Sequence, residues 1–488
     1  MPTQKSGGVT DTERMLADYC ERSFLKLWSY PNPYKDDGHE LCDLLAVFGN
    51  HVFILFDRHK RLAAQDGKDP QLLWERWRRE VVDKQIATAH GAERYIRSGR
   101  AIFVDGKRTS PFPVQFDPAT MIVHKIVVAH GAAEACQSAS DQNIFGSLAI
   151  TYEDDPEPSD NAFHVRLDRQ KPVHVFDSHN LPIIFGELDT VADLSSYLDA
   201  KLEAIKKYQA LVYCGEEDLL AHYLLNFDAK TNRHIIGTSG GDFDSVMIGE
   251  GEWRDFASSE TYRRTKLANN ASYLWDELIQ RTCQNSIDGT LEGNADLLGQ
   301  RNAIVEMAKE PRYMRRALAE DIVRSMRNFP EHQEGLVRNL SLMPASNKGQ
   351  AYLFLQIKVP EDIRAEPQYR QGRQHMLEVA CAGAKLKFYD LKQVVGIAID
   401  APKYTQQNSE DFLLMDFATW TDETRQQYEP LVAEFGFFRS TSLQESRRTV
   451  SEFVNAPKKS PVGAGRKQGR NEPCACGSGI KYKRCCMP

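Results

Sequence analysis

The sequence predicts a mixed α/β protein that ends in a small metal-binding module. The composition is that of a globular protein, with 41% apolar and 26% charged residues. Apolar positions alternate along the chain between helical and strand-like spacing, and four of the ten cysteines lie in the last fifteen residues. At roughly 100–200 residues per domain, 488 residues make several domains, and a fully disordered or fibrous protein is excluded.

The N-terminal part gives the clearest order of elements. After a polar stretch, residues 1–12, that we expect to be disordered, apolar positions recur at helical spacing from Glu13 to Leu27. The pair Gly49-Asn50 separates two apolar, β-rich stretches, which is typical of a hairpin. The predicted elements after the first helix are strands at Leu41–Phe48 and His51–Asp57, a long helix at Leu72–Ile96 and a strand at Arg100–Asp105.

These patterns divide the chain into three folded parts. Residues 13–118 form the first α/β unit, and residues 119–455 form a larger mixed α/β region that is rich in helices at 262–327. Strands at Gln350–Val359 and Gln393–Ile399 flank a helix, which predicts a β-α-β unit. Residues 456–469 have no apolar periodicity and predict a flexible linker to a module at 470–488.

Charge and composition predict a cytoplasmic protein. No apolar run approaches the ~18 residues that span a bilayer, and the N-terminus lacks a basic patch followed by an apolar stretch. The net charge is −7, yet Ala456 to Pro488 holds eight basic residues and one acidic residue. A basic tail on an acidic body indicates a partner for the tail. The oligomeric state stays open, and a homo-oligomer is compatible with the sequence.

The tail contains the strongest signal for a metal. Two close cysteine pairs are joined by a loop that contains Gly477 and Gly479. Zinc takes four sulfur or nitrogen ligands at tetrahedral corners, and about twenty residues bury too little apolar area to fold without a metal. We therefore predict a structural zinc ion whose ligands are Cys474, Cys476, Cys485 and Cys486.

The segment NEPCACGSGIKYKRCC resembles the SEC-C motif, a zinc module at the C-terminus of the preprotein translocase motor SecA and of many unrelated bacterial proteins. The motif usually reads N-D/E-P-C-P-C-G-S-G-K-K-Y-K-x-C-C/H. This chain departs from it at Ala475 and Ile480, neither of which is a ligand position. The resemblance implies zinc and a docking role towards a partner, over about 20 of the 488 residues.

The first α/β unit supplies candidate catalytic residues. Glu21 lies on the first helix, and Asp43 and Asp57 lie on the two hairpin strands. Lys60 follows closely behind Asp57, and Gln85 is a polar residue on the buried stripe of the next helix. This order resembles the core of the PD-(D/E)xK, restriction-endonuclease-like nucleases. The resemblance implies that Asp43 and Asp57 hold Mg²⁺ or Mn²⁺, and that Lys60 offsets charge on the phosphate.

Two features depart from that pattern. The family's lysine lies two residues beyond the second acid, where this chain has His59, and Lys60 follows one residue later. In addition, a two-residue loop at Gly49-Asn50 would pair Asp43 with Phe56 and send Asp57 to the other face of the hairpin. We therefore expect the two aspartates to meet only if the loop has three residues or the strand has a bulge. Otherwise the acids are strand ends of an ordinary solvent-facing hairpin, and an inactivated nuclease fold is a further alternative.

The functional hypothesis is a metal-dependent endonuclease, a phosphodiester hydrolase that acts on DNA or RNA. The chain also resembles bacterial proteins that combine a nuclease-like start with a SEC-C tail, through His174–Thr190 and Cys214–Leu225 as well as the first 60 residues. That resemblance implies a role in antiviral defence against foreign DNA. The alternative is a non-catalytic adaptor whose SEC-C module recruits a protein or nucleic-acid partner.

Overall fold

The computed structural model describes residues 11–23, 28–62, 69–139, 146–159, 161–288, 297–331, 334–405, 409–439, 444–454, 470–472 and 481–484. These residues form a mixed α/β structure. Residues 1–10 and the linker 456–469 lie outside them, and the first helix already begins at Asp11. None of the described helices is both long and apolar enough to cross a membrane.

The strands are β1 (Ser29–Pro31), β2 (Tyr34–Lys35), β3 (Leu44–Phe48), β4 (His51–His59), β5 (Ile102–Phe103), β6 (Ile122–His130), β7 (Ala149–Glu153), β8 (His164–Asp168), β9 (His174–Asp177), β10 (Ala210–Tyr213), β11 (Phe227–Asp228), β12 (Arg233–His234), β13 (Ser245–Ile248), β14 (Val337–Pro344), β15 (Gln350–Lys358), β16 (Gln393–Asp400) and β17 (Glu410–Asp416).

The helices are α1 (Asp11–Ser23), α2 (Pro70–Arg78), α3 (Lys84–Arg97), α4 (Ala133–Ala139), α5 (Asn180–Glu187), α6 (Val191–Lys207), α7 (Glu216–Leu225), α8 (Glu252–Ser258), α9 (Glu260–Asn269), α10 (Tyr273–Asp288), α11 (Leu297–Ala308), α12 (Arg312–Arg327), α13 (Glu361–Arg364), α14 (Tyr369–Lys387) and α15 (Asp422–Phe435).

The candidate site belongs to a five-stranded sheet that the described strands form in the order β1-β3-β4-β6-β9. Strands β1, β3 and β4 are antiparallel neighbours, whereas β4, β6 and β9 run parallel. The predicted hairpin is confirmed: Phe48 pairs with His51 across Gly49-Asn50, and Gly49 has the positive φ that glycine adopts readily. The sheet continues past residue 118 because the second edge of β4 is paired with β6.

Helices cover both faces of this sheet. The side chains of Leu44, Phe53 and Leu55 pack in one cluster with those of α1, while Leu45 and Ile54 pack on the other face with α3. Apolar residues alternate between the two faces along β3 and β4, as a strand buried on both sides requires. The ends of β4 therefore define where polar residues from several elements can meet.

The long helix predicted at Leu72–Ile96 is continuous but changes its buried face. Asp69 caps its start by accepting a hydrogen bond from the N–H of Gln71, and a π-helical turn at Arg79–Asp83 joins α2 to α3. Residues before the turn, including Trp74 and Trp77, pack in the α1 cluster, and those after it pack against the opposite face of the sheet. The π turn adds a residue to the helical repeat and so rotates the apolar stripe.

Two other predicted elements are instructive. The β-α-β unit is confirmed, because β15 and β16 pair in parallel on either side of α14. Helix α12 lies in the region predicted to be rich in helices, and two of its arginines point into the interior. Arg312 and Arg315 are buried and both contact Asp276. Amphipathic periodicity cannot distinguish a solvated basic face from one that is neutralised by buried carboxylates.

The middle region contains a fully buried ion pair. Lys201 on α6 lies 2.6 Å from Glu216 on α7, and neither side chain is exposed. The hydroxyl groups of Tyr197 and Tyr213 donate to the same carboxylate at 2.6 and 2.8 Å. A buried pair is tolerated when its remaining hydrogen-bonding capacity is satisfied in this way.

We predict that Lys201→Met lowers the free energy of unfolding by about 3–5 kcal/mol, because Glu216 would remain buried and uncompensated. Urea denaturation of the full chain measures the change. The matched control is Arg425→Met, which breaks an exposed pair with Glu429 and should change stability little. Equal effects for the two variants would contradict the role given to the buried pair.

Candidate active site

A cavity of about 1250 Å³ opens where β4 ends, between the start of α1 and the face of α3. Four of the predicted catalytic residues line it: Asp43, Asp57, Lys60 and Gln85. Glu21, the fifth, is not among the described residues that line it, and α1 instead contributes Glu13. The α1 start is the part of that helix that reaches the sheet end, so an acid near residue 13 rather than 21 faces the cavity.

Asp43 and Asp57 meet in a way that strand alternation did not predict. The hairpin loop has two residues, so an odd-length loop is not required. Asp43 precedes β3, and its backbone N–H donates to the carbonyl of Leu55 on β4 at 3.2 Å. Its Oδ2 accepts a hydrogen bond from the backbone N–H of Asp57 at 2.5 Å. The two residues are therefore joined through the Asp57 backbone, and both line the same cavity.

The Asp57 side chain is 2% exposed and points towards β6. Its Oδ1 lies 2.8 Å from Nε2 of His130, which is an ion-pair distance, but neither Oδ1 nor Oδ2 has a hydrogen-bond partner among the described residues. Nδ1 of His130 in turn lies 2.9 Å from the hydroxyl oxygen of Ser178. His130 therefore lies against one carboxylate oxygen of Asp57, and the other oxygen is available to a ligand.

His130 was not predicted from the sequence, because its place depends on a long-range parallel register. Strand β6 pairs with β4 so that Val128 is opposite Asp57 and His130 is opposite His59. The available signal was a histidine at the end of an otherwise apolar strand, immediately before Gly131. Polar residues that follow buried parallel strands gather at one edge of a sheet.

Burial and neighbouring carboxylates make the ionised form of Asp43 unfavourable. Burial raises the pKa of Asp43 to about 7, and although the N–H of Asp57 lowers it, the carboxylates of Glu40, Glu13 and Asp57 raise it further. A buried carboxylate without a hydrogen-bond partner, next to an aspartate whose pKa is raised, is a donor set that suits a hard divalent cation. Mg²⁺ is commonly held by one or two carboxylates together with water.

Lys60 lies at the rim of the same cavity. Its ammonium group pairs with Glu80, and both side chains are substantially exposed. Its backbone is fixed: the carbonyl oxygen accepts a hydrogen bond from the indole N–H of Trp77 at 2.6 Å. Gly131, with φ of 102°, packs against the same carbonyl so closely that a Cβ there would lie 2.3 Å from the oxygen.

His59 occupies the position at which the nuclease pattern has its lysine. It is exposed, and its ring lies edge-on to that of His130 with the centroids 6.2 Å apart. It lines both the large cavity and a neighbouring one of about 320 Å³ that also contains His130 and Ser178. The imidazole of His59 and the ammonium of Lys60 thus both reach the region around Asp57.

The tail is described only in part. The N–H of Tyr482 donates to the carbonyl of Glu472 at 2.9 Å, and that of Lys483 donates to the carbonyl of Arg470 at 3.0 Å. The residues before the first cysteine pair are thus held against those before the second pair. Cys474, Cys476, Cys485 and Cys486 themselves lie outside the described residues.

Comparison with known proteins identifies this tail. Residues 470–488 match the family model of the SEC-C motif. Protein translocase subunit SecA of Geobacter sp. (strain M21) is 54% identical over 37 residues, 8% of this chain and 4% of that protein. SecA of Syntrophomonas wolfei is 50% identical over 42 residues, and a UPF0225 protein of Vibrio cholerae is 85% identical over 20 residues.

The similarity is confined to a short part of each protein. The matches cover 5% of the Syntrophomonas wolfei protein and 13% of the Vibrio cholerae protein, and 9% and 4% of this chain. No solved structure matches the chain. The chain therefore carries a SEC-C motif, a module that often binds zinc.

We predict that Asp43→Asn stabilises the metal-free protein above pH 7. Because the pKa of Asp43 is raised, the folded state binds more protons than the unfolded state between about pH 4 and pH 7, so wild-type stability falls as the pH rises through that range. Asparagine cannot ionise but can still accept from the N–H of Asp57. We expect a gain on the order of 1–3 kcal/mol at pH 8.5 that disappears near pH 4.

Urea denaturation in EDTA at several pH values measures this difference. Asp37→Asn, an exposed acid that lines the same cavity, is the matched control and should shift stability little. A loss of stability at pH 8.5 in Asp43→Asn would show that the carboxylate is compensated in the folded protein.

Proposed function

We propose that this protein is a metal-dependent phosphodiester hydrolase that cleaves DNA or RNA in the cavity at the end of β4. The observation that carries the proposal is the buried Oδ2 of Asp57, which has no hydrogen-bond partner among the described residues. It lies beside Asp43, whose pKa is raised to about 7. Such an arrangement weakens the fold unless a cation occupies it, which is characteristic of functional sites.

The order of elements supports the same hypothesis. Helix α1 is followed by the antiparallel strands β1, β3 and β4, then by the helices α2 and α3, and then by β6 parallel to β4. The nuclease resemblance implied a helix acid, a hairpin with two acids, a lysine close behind and a helix with Gln85, in this order. Gln85 is half-buried and lines the cavity.

Asp43 and Asp57 would hold the Mg²⁺ or Mn²⁺ ion, which when bound supplies a lower pKa for the attacking water and charge neutralisation at the phosphate. Glu13 takes the place of Glu21 as the helix acid. His130 keeps Asp57 oriented through its Nε2. The positive side chains of the cavity wall, among them Lys35, Arg58 and Lys60, would bind the phosphate backbone.

Lys60 is available for that role although it is paired. An exposed ion pair such as Lys60–Glu80 contributes little to stability, so a phosphate dianion or diester can replace the glutamate. His59 stands two residues beyond Asp57 and can donate a hydrogen bond or a proton to the same phosphate. The protein would thus use a histidine and the following lysine where the nuclease pattern uses one lysine.

We further propose that the SEC-C tail binds one zinc ion through its four cysteines and docks a partner for the nuclease body. The tail is basic, and its two described pieces are hydrogen-bonded to each other. A non-catalytic adaptor would share this tail but would not need the buried acids. Activity measurements on the body therefore separate the two functions.

We predict that Asp57→Asn reduces Mg²⁺- or Mn²⁺-dependent cleavage of DNA or RNA by at least ~100-fold, because one metal ligand and the charge partner of His130 are lost together. Glu13→Gln should also lower the rate. The matched control is Glu21→Gln, which changes the same helix outside the cavity and should leave the rate within about 2-fold of wild type.

Gel assays on single- and double-stranded substrates measure the rates, and circular dichroism verifies that each variant is folded. If the wild-type protein cleaves neither DNA nor RNA with Mg²⁺ or Mn²⁺, with or without a captured partner, the adaptor function replaces the hydrolase. Full activity in Asp57→Asn would place the reaction elsewhere.

For the tail, we predict that replacing Cys485 and Cys486 with serine removes about one equivalent of zinc and leaves the unfolding of the body unchanged. Elemental analysis of the purified full chain gives the zinc content. Substituting the buried Cys20 and Cys42 with serine is the control for the loss of thiols and should not lower it. An unchanged zinc content in the tail variant would refute the ligand assignment.

A further inference from the structure

A second group of metal-ligating side chains lies at the opposite end of β4. His51 is the first residue of β4, His124 lies on the neighbouring strand β6, and Asp199 lies on α6. Because Phe53 pairs with His124, the alternation of β4 puts His51 and His124 on the same face of the sheet. Asp57 is six residues further along β4, or about 20 Å, so this group is separate from the hydrolytic cavity.

The three side chains converge on one point. One nitrogen of each ring and one oxygen of the carboxylate all lie within 4.8 Å of one another, and among the described residues this is the group of three or more His, Cys, Asp or Glu for which that holds. Nδ1 of His51 is 3.1 Å from Nε2 of His124, which is 3.4 Å from Oδ1 of Asp199. Zinc–nitrogen bonds of about 2.0–2.1 Å at tetrahedral angles put neighbouring ligand atoms ~3.3 Å apart.

The two histidine rings are shielded from solvent, whereas the carboxylate is partly exposed. His124 is fully buried, His51 is 16% exposed and Asp199 is 35% exposed. A neutral imidazole offers the lone pair that a transition metal needs, and the partly exposed carboxylate leaves a path for an ion and for water.

The rings are also held in place without a metal. The planes of His51 and His124 are 4° apart with centroids at 5.4 Å, and Phe53 stacks on His124 at 5.0 Å. On the other side of His124, the ring of His174 lies at 5.7 Å. Metal-ligating rings that are fixed by packing lose little entropy on binding.

We propose that His51, His124 and Asp199 bind one divalent transition-metal ion of the class that prefers imidazole and carboxylate ligands, such as Zn²⁺ or Co²⁺. Two imidazoles and a carboxylate leave at least one coordination position open. The ion would link α6 to β4 and β6 near the N-terminal ends of these two strands. The competing arrangement is a metal-free hydrogen bond between the two imidazoles, with Asp199 as a nearby acid.

The test uses the full-length chain in which the four tail cysteines are replaced by serine and Asp57 by asparagine, so that the other two proposed sites are removed. Titration with Co²⁺ alone, followed by visible absorption, should show about one equivalent with d–d bands and without a thiolate charge-transfer band. In the same background, His124→Phe should weaken Co²⁺ binding by at least ~100-fold, since a ligand is lost and the ring space stays filled.

Asp199→Asn, at a partly exposed position, should also weaken Co²⁺ binding. It provides the test in case His124→Phe does not fold. His375→Gln, a half-exposed histidine on α14, is the matched control and should bind as the background does. No Co²⁺ binding in the background chain, or equal binding in the control and in both site variants, would overturn the proposal in favour of the metal-free hydrogen bond. The result does not depend on cleavage activity.

Discussion

The pairing of β4 on both of its edges is the constraint on which the N-terminal part of the structure depends. This nine-residue strand is antiparallel to β3 and parallel to β6, and its residues Val52 to Phe56 are buried on both faces. With both edges hydrogen-bonded and both faces covered, its register cannot change without exposing apolar side chains. Each polar residue at its ends therefore has one position, and partners supplied by β6 meet it in a fixed geometry.

The local features could be read from the sequence, whereas the pairing of distant segments could not. Gly49-Asn50 identified the hairpin, and its two-residue loop gave the correct pairing of Asp43 with the segment around Phe56. Alternation alone then argued against a contact between Asp43 and Asp57. It failed because Asp43 lies just outside β3, where its side chain can turn towards the N–H of Asp57. Alternation assigns faces only within a regular ladder, and here the N–H of Asp43 donates to Leu55, the residue that is already paired with Leu44.

The histidines show the same difference between local patterns and long-range pairing. His51 was visible as the first residue of a predicted strand and His59 as a residue just beyond its end. Their neighbours His124 and His130 come from a strand more than sixty residues away. A parallel pairing leaves no turn signal that would give its register. The arginines of α12 were also hard to interpret from the sequence, because the carboxylate partners of Arg312 come from distant parts of the chain, at Asp189 and Asp276. Charge in the sequence shows that a partner exists, not which one.

The contact between Gly131 and the carbonyl of Lys60 has a consequence for sequence variation. Any β-carbon at position 131 would push apart the ends of β4 and β6 and would move Lys60 relative to Asp57. Chains that keep this arrangement should therefore have only glycine at that position. Gly186 has open space around it and an ordinary φ, so other residues should be tolerated there. A glycine at position 131 is thus a simple sequence criterion for chains that keep this geometry at the ends of β4 and β6.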